Sequence, residues 1–298
     1  MITVAGLTKQ YGKRLAVHDM TFDVAAGRVT GFVGPNGAGK STTMRMMVGL
    51  TRPDGGEVRY HGTKYTDLKD PARIVGSVLD ARCMHPGRTA RHHLRATAAL
   101  IGVPARRAEE VLADVGLETA ADQRAGGFSL GMRQRLALAG ALLGDPQVLL
   151  LDEPSNGLDP DGIRWLRTYL RGYADRGGTV FVSSHLIGEL SMFADDLVVV
   201  GGGRLLAAES VEAITSRDDI TVSVQTPQPN DLVELLAAHD LAAERTGERV
   251  LVHGTTKTTV SQIAFDNHIQ LVELTETSRS LEDNVLDMTS ESAEFASA

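Results

Sequence analysis

The chain has 298 residues, 42% of them hydrophobic, and a formal net charge of −8. This length holds one domain of about 210 residues and a smaller one, with ample apolar material for both cores. No stretch approaches the ~20 apolar residues of a membrane-spanning helix. Met1-Ile2-Thr3-Val4 lacks the basic start and apolar run of a signal peptide, and the single cysteine, Cys83, allows neither an internal disulfide nor a zinc cluster. A cytoplasmic protein is expected.

In chain order, the first informative elements are a strand, a loop and a helix. Arg28 to Val33 reads as a short buried strand, and Ser41 to Val48 as a helix ended by Gly49. Between them Gly34-Pro35-Asn36-Gly37-Ala38-Gly39-Lys40-Ser41-Thr42 fits G-x-x-x-x-G-K-[ST]. Glycines let such a loop curl with its N–H groups inward. The following helix turns its N-terminus and dipole toward an anion. The residues of this loop are therefore expected to bind ATP, with Lys40 reaching the β- and γ-phosphates and the Ser41 hydroxyl on Mg²⁺.

Gln147-Val148-Leu149-Leu150-Leu151 is a continuous apolar run suited to a central parallel strand covered on both faces. It ends in Asp152-Glu153. Two adjacent carboxylates at the C-terminal end of a buried strand are costly unless employed, and open α/β sheets bind ligands at that edge. Asp152 is expected to hold Mg²⁺ directly or through water, and Glu153 to polarise the attacking water as general base.

Other segments complete a pattern. Phe128-Ser129-Leu130-Gly131-Met132-Arg133-Gln134-Arg135-Leu136 lies between the two nucleotide motifs; Ser155-Asn156-Gly157-Leu158-Asp159-Pro160 and Val182-Ser183-Ser184-His185 follow them. In this order they resemble the signature, D-loop and switch-histidine motifs of ATP-binding cassette (ABC) ATPases, over residues 2 to 210. The signature variant, with His85-Pro86, is similar to bacterial exporters of the antibiotic and multidrug resistance branch.

The resemblance implies an α/β fold: a P-loop NTPase core of mixed and parallel sheet over residues 1–215, with a helical subdomain at about 82–140. It implies a sandwich in which two copies of the chain close two ATP molecules. Ser129, Leu130, Gly131, Met132 and Asp159 would then face the partner's site, His185 would contact the γ-phosphate beside Glu153 and Lys40, and Tyr11 would stack on adenine. It implies a separate transmembrane permease, a place on the inner face of the cell membrane, and export, the alternatives being an importer ATPase or a soluble ATPase of the superfamily not coupled to transport. No nucleic-acid partner is expected, since the 94 residues from Gly34 to Gly127 contain no sustained heptads of a DNA-repair type insertion.

The chain departs from the family at three positions. Asp80 stands where a glutamine is usual, so an oxygen ligand for Mg²⁺ remains and its charge changes. Leu130 replaces a second signature glycine, and Met132 a glutamine. From Ala81 to Ala108 there is no acidic residue among many arginines. Arg82, Arg88 and Arg91 are accordingly expected to dock on a cytoplasmic coupling helix of the permease or on anionic lipid.

Residues 216–298 hold five basic and fifteen acidic side chains, against 25 and 23 in the remainder. This shift places a domain boundary near Thr215 and a small acidic α+β domain beyond it. Its expected elements are a strand at Ile220–Val224, a helix at Asp231–Ala238, strands at Val250–Val252 and Ile269–Leu274, and a docked helix at Ser280–Thr289, with residues 290–298 frayed.

Overall fold

The structure, a computed structural model, describes residues 1–80, 84–215, 221–277 and 281–294. Compactness divides the chain into one unit of residues 1–211 with the chain end from 287, and a second unit of residues 212–286.

The strands of the first unit run in order β1 (Ile2–Tyr11), β2 (Arg14–Val24), β3 (Val29–Val33), β4 (Gly55–Tyr60), β5 (Thr63–Lys64), β6 (Val75–Val78), β7 (Val148–Leu151), β8 (Thr179–Ser184), β9 (Asp196–Gly201) and β10 (Arg204–Ser210). They form an antiparallel sheet of order β2-β1-β4-β5 and a six-stranded sheet of order β10-β9-β3-β8-β7-β6. In the larger sheet β9, β3, β8, β7 and β6 are parallel neighbours, and β10 is an antiparallel edge. All residues of β3, β7 and β8 are buried, as in strands covered on both faces; β7 is apolar throughout, while β3 and β8 also bury Thr30, Thr179, Ser183 and Ser184.

Phe22, Phe32 and Phe181 stack with centroids 5.0–5.9 Å apart in a core that also takes Met44 and Met47 of the helix Lys40–Met47. That helix thereby lies fixed behind the phosphate loop. Beyond β6 the chain builds a helical layer from Ala90–Leu100, Arg106–Asp114 and Leu130–Leu142. Thr89 caps the first and Ser129 the third, each accepting a backbone N–H three residues on.

The second unit carries β11 (Thr221–Gln225), β12 (Ala243–Thr246), β13 (Arg249–His253) and β14 (Glu273–Thr277) in an antiparallel sheet of order β12-β13-β11-β14. With the helices Pro229–Ala237 and Lys257–Asp266 between strands, its element order is βαββαβ, a split βαβ arrangement. Val222, Val224, Val250 and Val252 alternate onto the face that meets Leu232, Leu236, Val260 and Ala264.

Two expectations here are corrected, and one strand is not expected from the sequence. The last strand begins at Glu273, not Ile269. The Ile269 N–H closes onto Ala264 O, and Ile269 and Leu271 fill the core from a loop. The polar edge strand Ala243–Thr246 carries no apolar alternation and so escapes a pattern reading. The final helix continues from Leu281 to Glu294, past the point where fraying is expected. Ile220 lies outside the described residues.

Candidate nucleotide site

The parallel register explains why residues 34, 152, 153 and 185 meet. Val33 pairs with Ser184 and Leu151 with Val182, so the residues that follow β3, β7 and β8 leave the sheet at one edge, on neighbouring strands. This is the carboxyl edge at which open α/β sheets take ligands.

The phosphate loop is held close to its surroundings. A Cβ on Gly34 would lie 2.1 Å from Val200 O, and one on Gly39 would lie 2.5 Å from Ala16 O; their φ values are +154° and +99°. Only glycine meets both demands. Lys40 is 6% exposed, and its Nζ donates to Gly34 O at 2.6 Å and Pro35 O at 3.3 Å. Burial pushes the Lys40 ammonium below its ordinary pKa, while Glu153 and Asp152 pull it back. A buried cation held mainly by two backbone carbonyls, with the nearer carboxylate 3.8 Å away, suits the arrival of further negative charge.

Glu153 stands between two partners. Its Oε1 lies 3.8 Å from Lys40 Nζ, and its Oε2 lies 2.7 Å from His185 Nδ1. Asp152 is anchored from two sides: its N–H donates to Val78 O at 2.8 Å, and its Oδ1 accepts from Ser183 Oγ at 2.6 Å.

Around these groups opens a pocket of about 480 Å³ lined by Tyr11, Arg14, Ala16, Asn36, Gly37, Gly39, Lys40, Ser41, Thr42, Glu153, Asn156 and His185. Gly34 and Pro35 lie beneath it as acceptors for Lys40, and Ala38 is buried, its N–H donating to Pro35 O. Tyr11 is half exposed at the rim, its ring 5.5 Å from Lys9 Nζ.

Not every residue singled out from the sequence is brought here. Asp80, assigned with Ser41 and Asp152 to Mg²⁺, lines a different cavity of about 670 Å³ together with Arg45, Leu50, Met84, His93, Thr97 and Ile101. The reason is topological: β6 is the edge strand beyond β7, and the chain turns from it into the helical layer. Ser129 and Asp159 are both helix caps, accepting from Met132 N at 3.2 Å and Gly162 N at 2.7 Å. Leu130 is 46% exposed; Gly131 lies against Leu158, and Met132 is half-buried.

The arginines divide. Arg91, expected to dock on a partner, is occupied within the helical layer. Its Nε and Nη2 donate to Asp122 at 2.9 and 3.2 Å, and its Nη1 pairs with Glu109. The acid-free stretch finds its acids in the next helix, at Glu109, and in the turn at Asp122. Arg88 is exposed with no carboxylate partner among the described residues, and Arg82 lies outside them.

Sequence reading misses Arg14, Asn156 and Ser183. Arg14 Nη2 donates to Gly37 O at 3.3 Å from the hairpin after Tyr11, a basic residue whose one signal is nearness to Tyr11. Asn156 is visible only as part of the D-loop segment. Ser183 shows itself only by standing two residues before His185.

The chain is 34% identical over 297 residues to the uncharacterized ABC transporter ATP-binding protein YhcH of Bacillus subtilis, covering 99% of this chain and 97% of that one. The chain belongs to the ABC transporter ATP-binding proteins. A family model described as ABC transporter matches residues 17–156 of this ABC ATPase, and one described as a domain of unknown function matches residues 220–282. It is also 35% identical over 291 residues to the bacitracin transport ATP-binding protein BcrA of Bacillus licheniformis, covering 95% of each chain. Among solved structures it resembles the dimeric ATP-binding cassette MJ0796 in a post-hydrolysis state with ADP and Pi, at a TM-score of 0.65 and 26% identity, over 71% of this chain and 99% of that one. The α/β P-loop fold expected of an ABC ATPase is the fold observed.

Proposed function

We propose that two copies of this chain close over two ATP molecules, hydrolyse them, and so drive export of an antibiotic or similar hydrophobic compound through a separate membrane subunit. The observation that carries this reading is the placement of Glu153 between Lys40 and His185 at the mouth of the phosphate-loop pocket. The likeness to BcrA supports the cargo class, and the likeness to a cassette solved as a dimer supports the pairing.

In this reading Lys40 and the loop N–H groups bind the β- and γ-phosphates. Glu153 orients a water and accepts its proton as that water's oxygen bonds to the γ-phosphorus. The bond from that phosphorus to the β-γ bridging oxygen breaks, and ADP leaves with that oxygen. His185 holds the Glu153 carboxylate and faces the γ-phosphate. Tyr11 packs on the base. Ser129, Leu130 and Gly131 close the partner's nucleotide.

Ser41 and Asp152 offer the hard oxygen donors that suit Mg²⁺. Among the described residues no three His, Cys, Asp or Glu side chains form a metal cage, which fits an ion completed by phosphate oxygens and water; bound there, it would neutralise charge developing on the phosphates. The cavity lined by Asp80, Met84 and His93 is the surface assigned to the permease, with the Arg88 charge near His93. Among the described residues no helix is long and apolar enough to cross a membrane, and the chain is placed on the inner membrane face through that docking.

The test is a Glu153→Gln variant examined by light scattering with ATP and Mg²⁺, beside the ATPase rate of the unaltered chain. A dimer that forms only with ATP and does not hydrolyse it is expected. A variant that hydrolyses at the unaltered rate would overturn the role of Glu153. Direction is read by uptake of a labelled peptide antibiotic into everted vesicles bearing the permease.

A further inference from the structure

Ser183, on β8, is completely buried and sits between the two carboxylate residues. The Glu153 N–H donates to Ser183 Oγ at 2.9 Å, and Ser183 Oγ donates to Asp152 Oδ1 at 2.6 Å. Both directions are forced: an amide N–H only donates, and a hydroxyl has one proton, so that proton goes to the carboxylate. One side chain therefore spans the peptide of Glu153 and the carboxylate of Asp152.

The peptide needs such a hold. Glu153 has φ +48°. The other non-glycine residues with positive φ among the described residues are Asp19, His61, Asp145, Asp240 and His268. Aspartate and histidine are enriched in the left-handed region; glutamate is not. Its conformation is one that the surroundings must impose. Lys40 and His185 grip the Glu153 carboxylate; Ser183 grips its backbone.

We infer that Ser183 is a positioning residue for hydrolysis, setting the Asp152 carboxylate and the left-handed backbone of Glu153 through a single hydroxyl. The inference rests on the reading of Asp152 and Glu153 as the working carboxylates. Its consequence is cooperative: neither group can be re-aimed without disturbing the other. Threonine would keep the hydroxyl, and Ser183 borders a small cavity of about 60 Å³ lined by Leu170, Val182 and Phe193.

The experiment compares the full-length chain with Ser183→Ala and Ser183→Thr. It measures kcat and KM for ATP, and equilibrium binding of a fluorescent ATP analogue first in EDTA and then with Mg²⁺. For Ser183→Ala, kcat falls about tenfold or more, as loss of a hydrogen bond to a charged group predicts. Binding in EDTA stays within about twofold, because Lys40 and the loop supply the phosphate contacts. The gain in affinity on adding Mg²⁺ shrinks. Ser183→Thr restores both kcat and that gain. A Ser183→Ala kcat within about twofold of the unaltered chain would overturn the inference, since so small a change is less than one such hydrogen bond. So would a fall of binding in EDTA in step with kcat, which would mark general damage to the fold. An unaltered chain that hydrolyses no ATP would sink the ATPase reading instead; the Mg²⁺-dependent binding gain, lost in Ser183→Ala and regained in Ser183→Thr, still reads the positioning role.

Discussion

Leu130 fills the space that a side chain at position 157 would need. A Cβ built on Gly157 would lie 2.0 Å from Leu130 Cδ2, and Gly157 has φ +73°. The leucine in place of a signature glycine is thus matched, within the same chain, by a glycine in the D-loop. The pair ties the N-terminus of the helix Leu130–Leu142 to the loop after Glu153. Gly157→Ala is expected to destabilise the chain by about 1–3 kcal/mol from backbone strain alone, with the clash in addition. Adding Leu130→Ala should relieve the clash and leave the strain. The check is a double-mutant cycle on urea midpoints and ATPase rate; simple additivity would show that the two residues do not act together.

His185 Nδ1 and Glu153 Oε2 are 2.7 Å apart. If a neutral imidazole donates from Nδ1, its Nε2 is left as an acceptor toward the pocket; an imidazolium would present a second donor there. Either state keeps the Glu153 carboxylate aimed. His185→Ala removes that aim, and kcat should fall by about a hundredfold, within the range for a misplaced general base. ATP binding without Mg²⁺ should change little, because Lys40 and the loop are untouched. Steady-state kinetics beside fluorescent-nucleotide titration separates the two effects.

How much of this site is legible in the sequence depends on the range of each relation. Gly34 to Thr42 is readable because loop, helix start and lysine are contiguous, and each residue's demand is local: positive φ at Gly39, a donor at Lys40. The apolar run into Asp152-Glu153 is readable for the same reason. What the chain order does not display is which strands become neighbours. That β8 lies between β3 and β7 brings Ser183 to Asp152 across 31 positions; no spacing rule announces it. Asp80 shows the converse: its motif position is clear, while the edge location of β6 decides which cavity it lines. Arg91 shows it again, since its partners Glu109 and Asp122 stand 18 and 31 residues away.

That internal pairing leads to a prediction separating structure from docking. Arg91→Glu should place a carboxylate against Glu109 and Asp122 and lower the melting temperature of the isolated chain. At about pH 7.5, above the ordinary histidine value, Arg88→Glu should leave the melting temperature alone and reduce co-purification with the membrane subunit. Thermal unfolding and a detergent pull-down read the two. A normal melting temperature for Arg91→Glu would show that its ion pairs contribute nothing measurable, as many exposed pairs do.

The cavity beside Asp80 also carries a pH dependence. His93 lines it, its Nδ1 is buried without a hydrogen-bond partner among the described residues, and burial, with the nearby Arg88 charge, holds the imidazole below its ordinary pKa. The folded chain therefore prefers neutral His93. As pH falls through the ordinary histidine value of about 6.5, the unfolded chain takes up the proton first and stability is lost. Above that value both states are neutral, and His93 gives no pH dependence. His93→Gln removes the titration, so its melting temperature should fall less than that of the unaltered chain between about pH 7.5 and about pH 5.5. Arg88→Gln should remove only the charge part and give an intermediate slope. Parallel slopes for all three proteins across that range would show that His93 is protonated as readily in the folded chain as in the unfolded one.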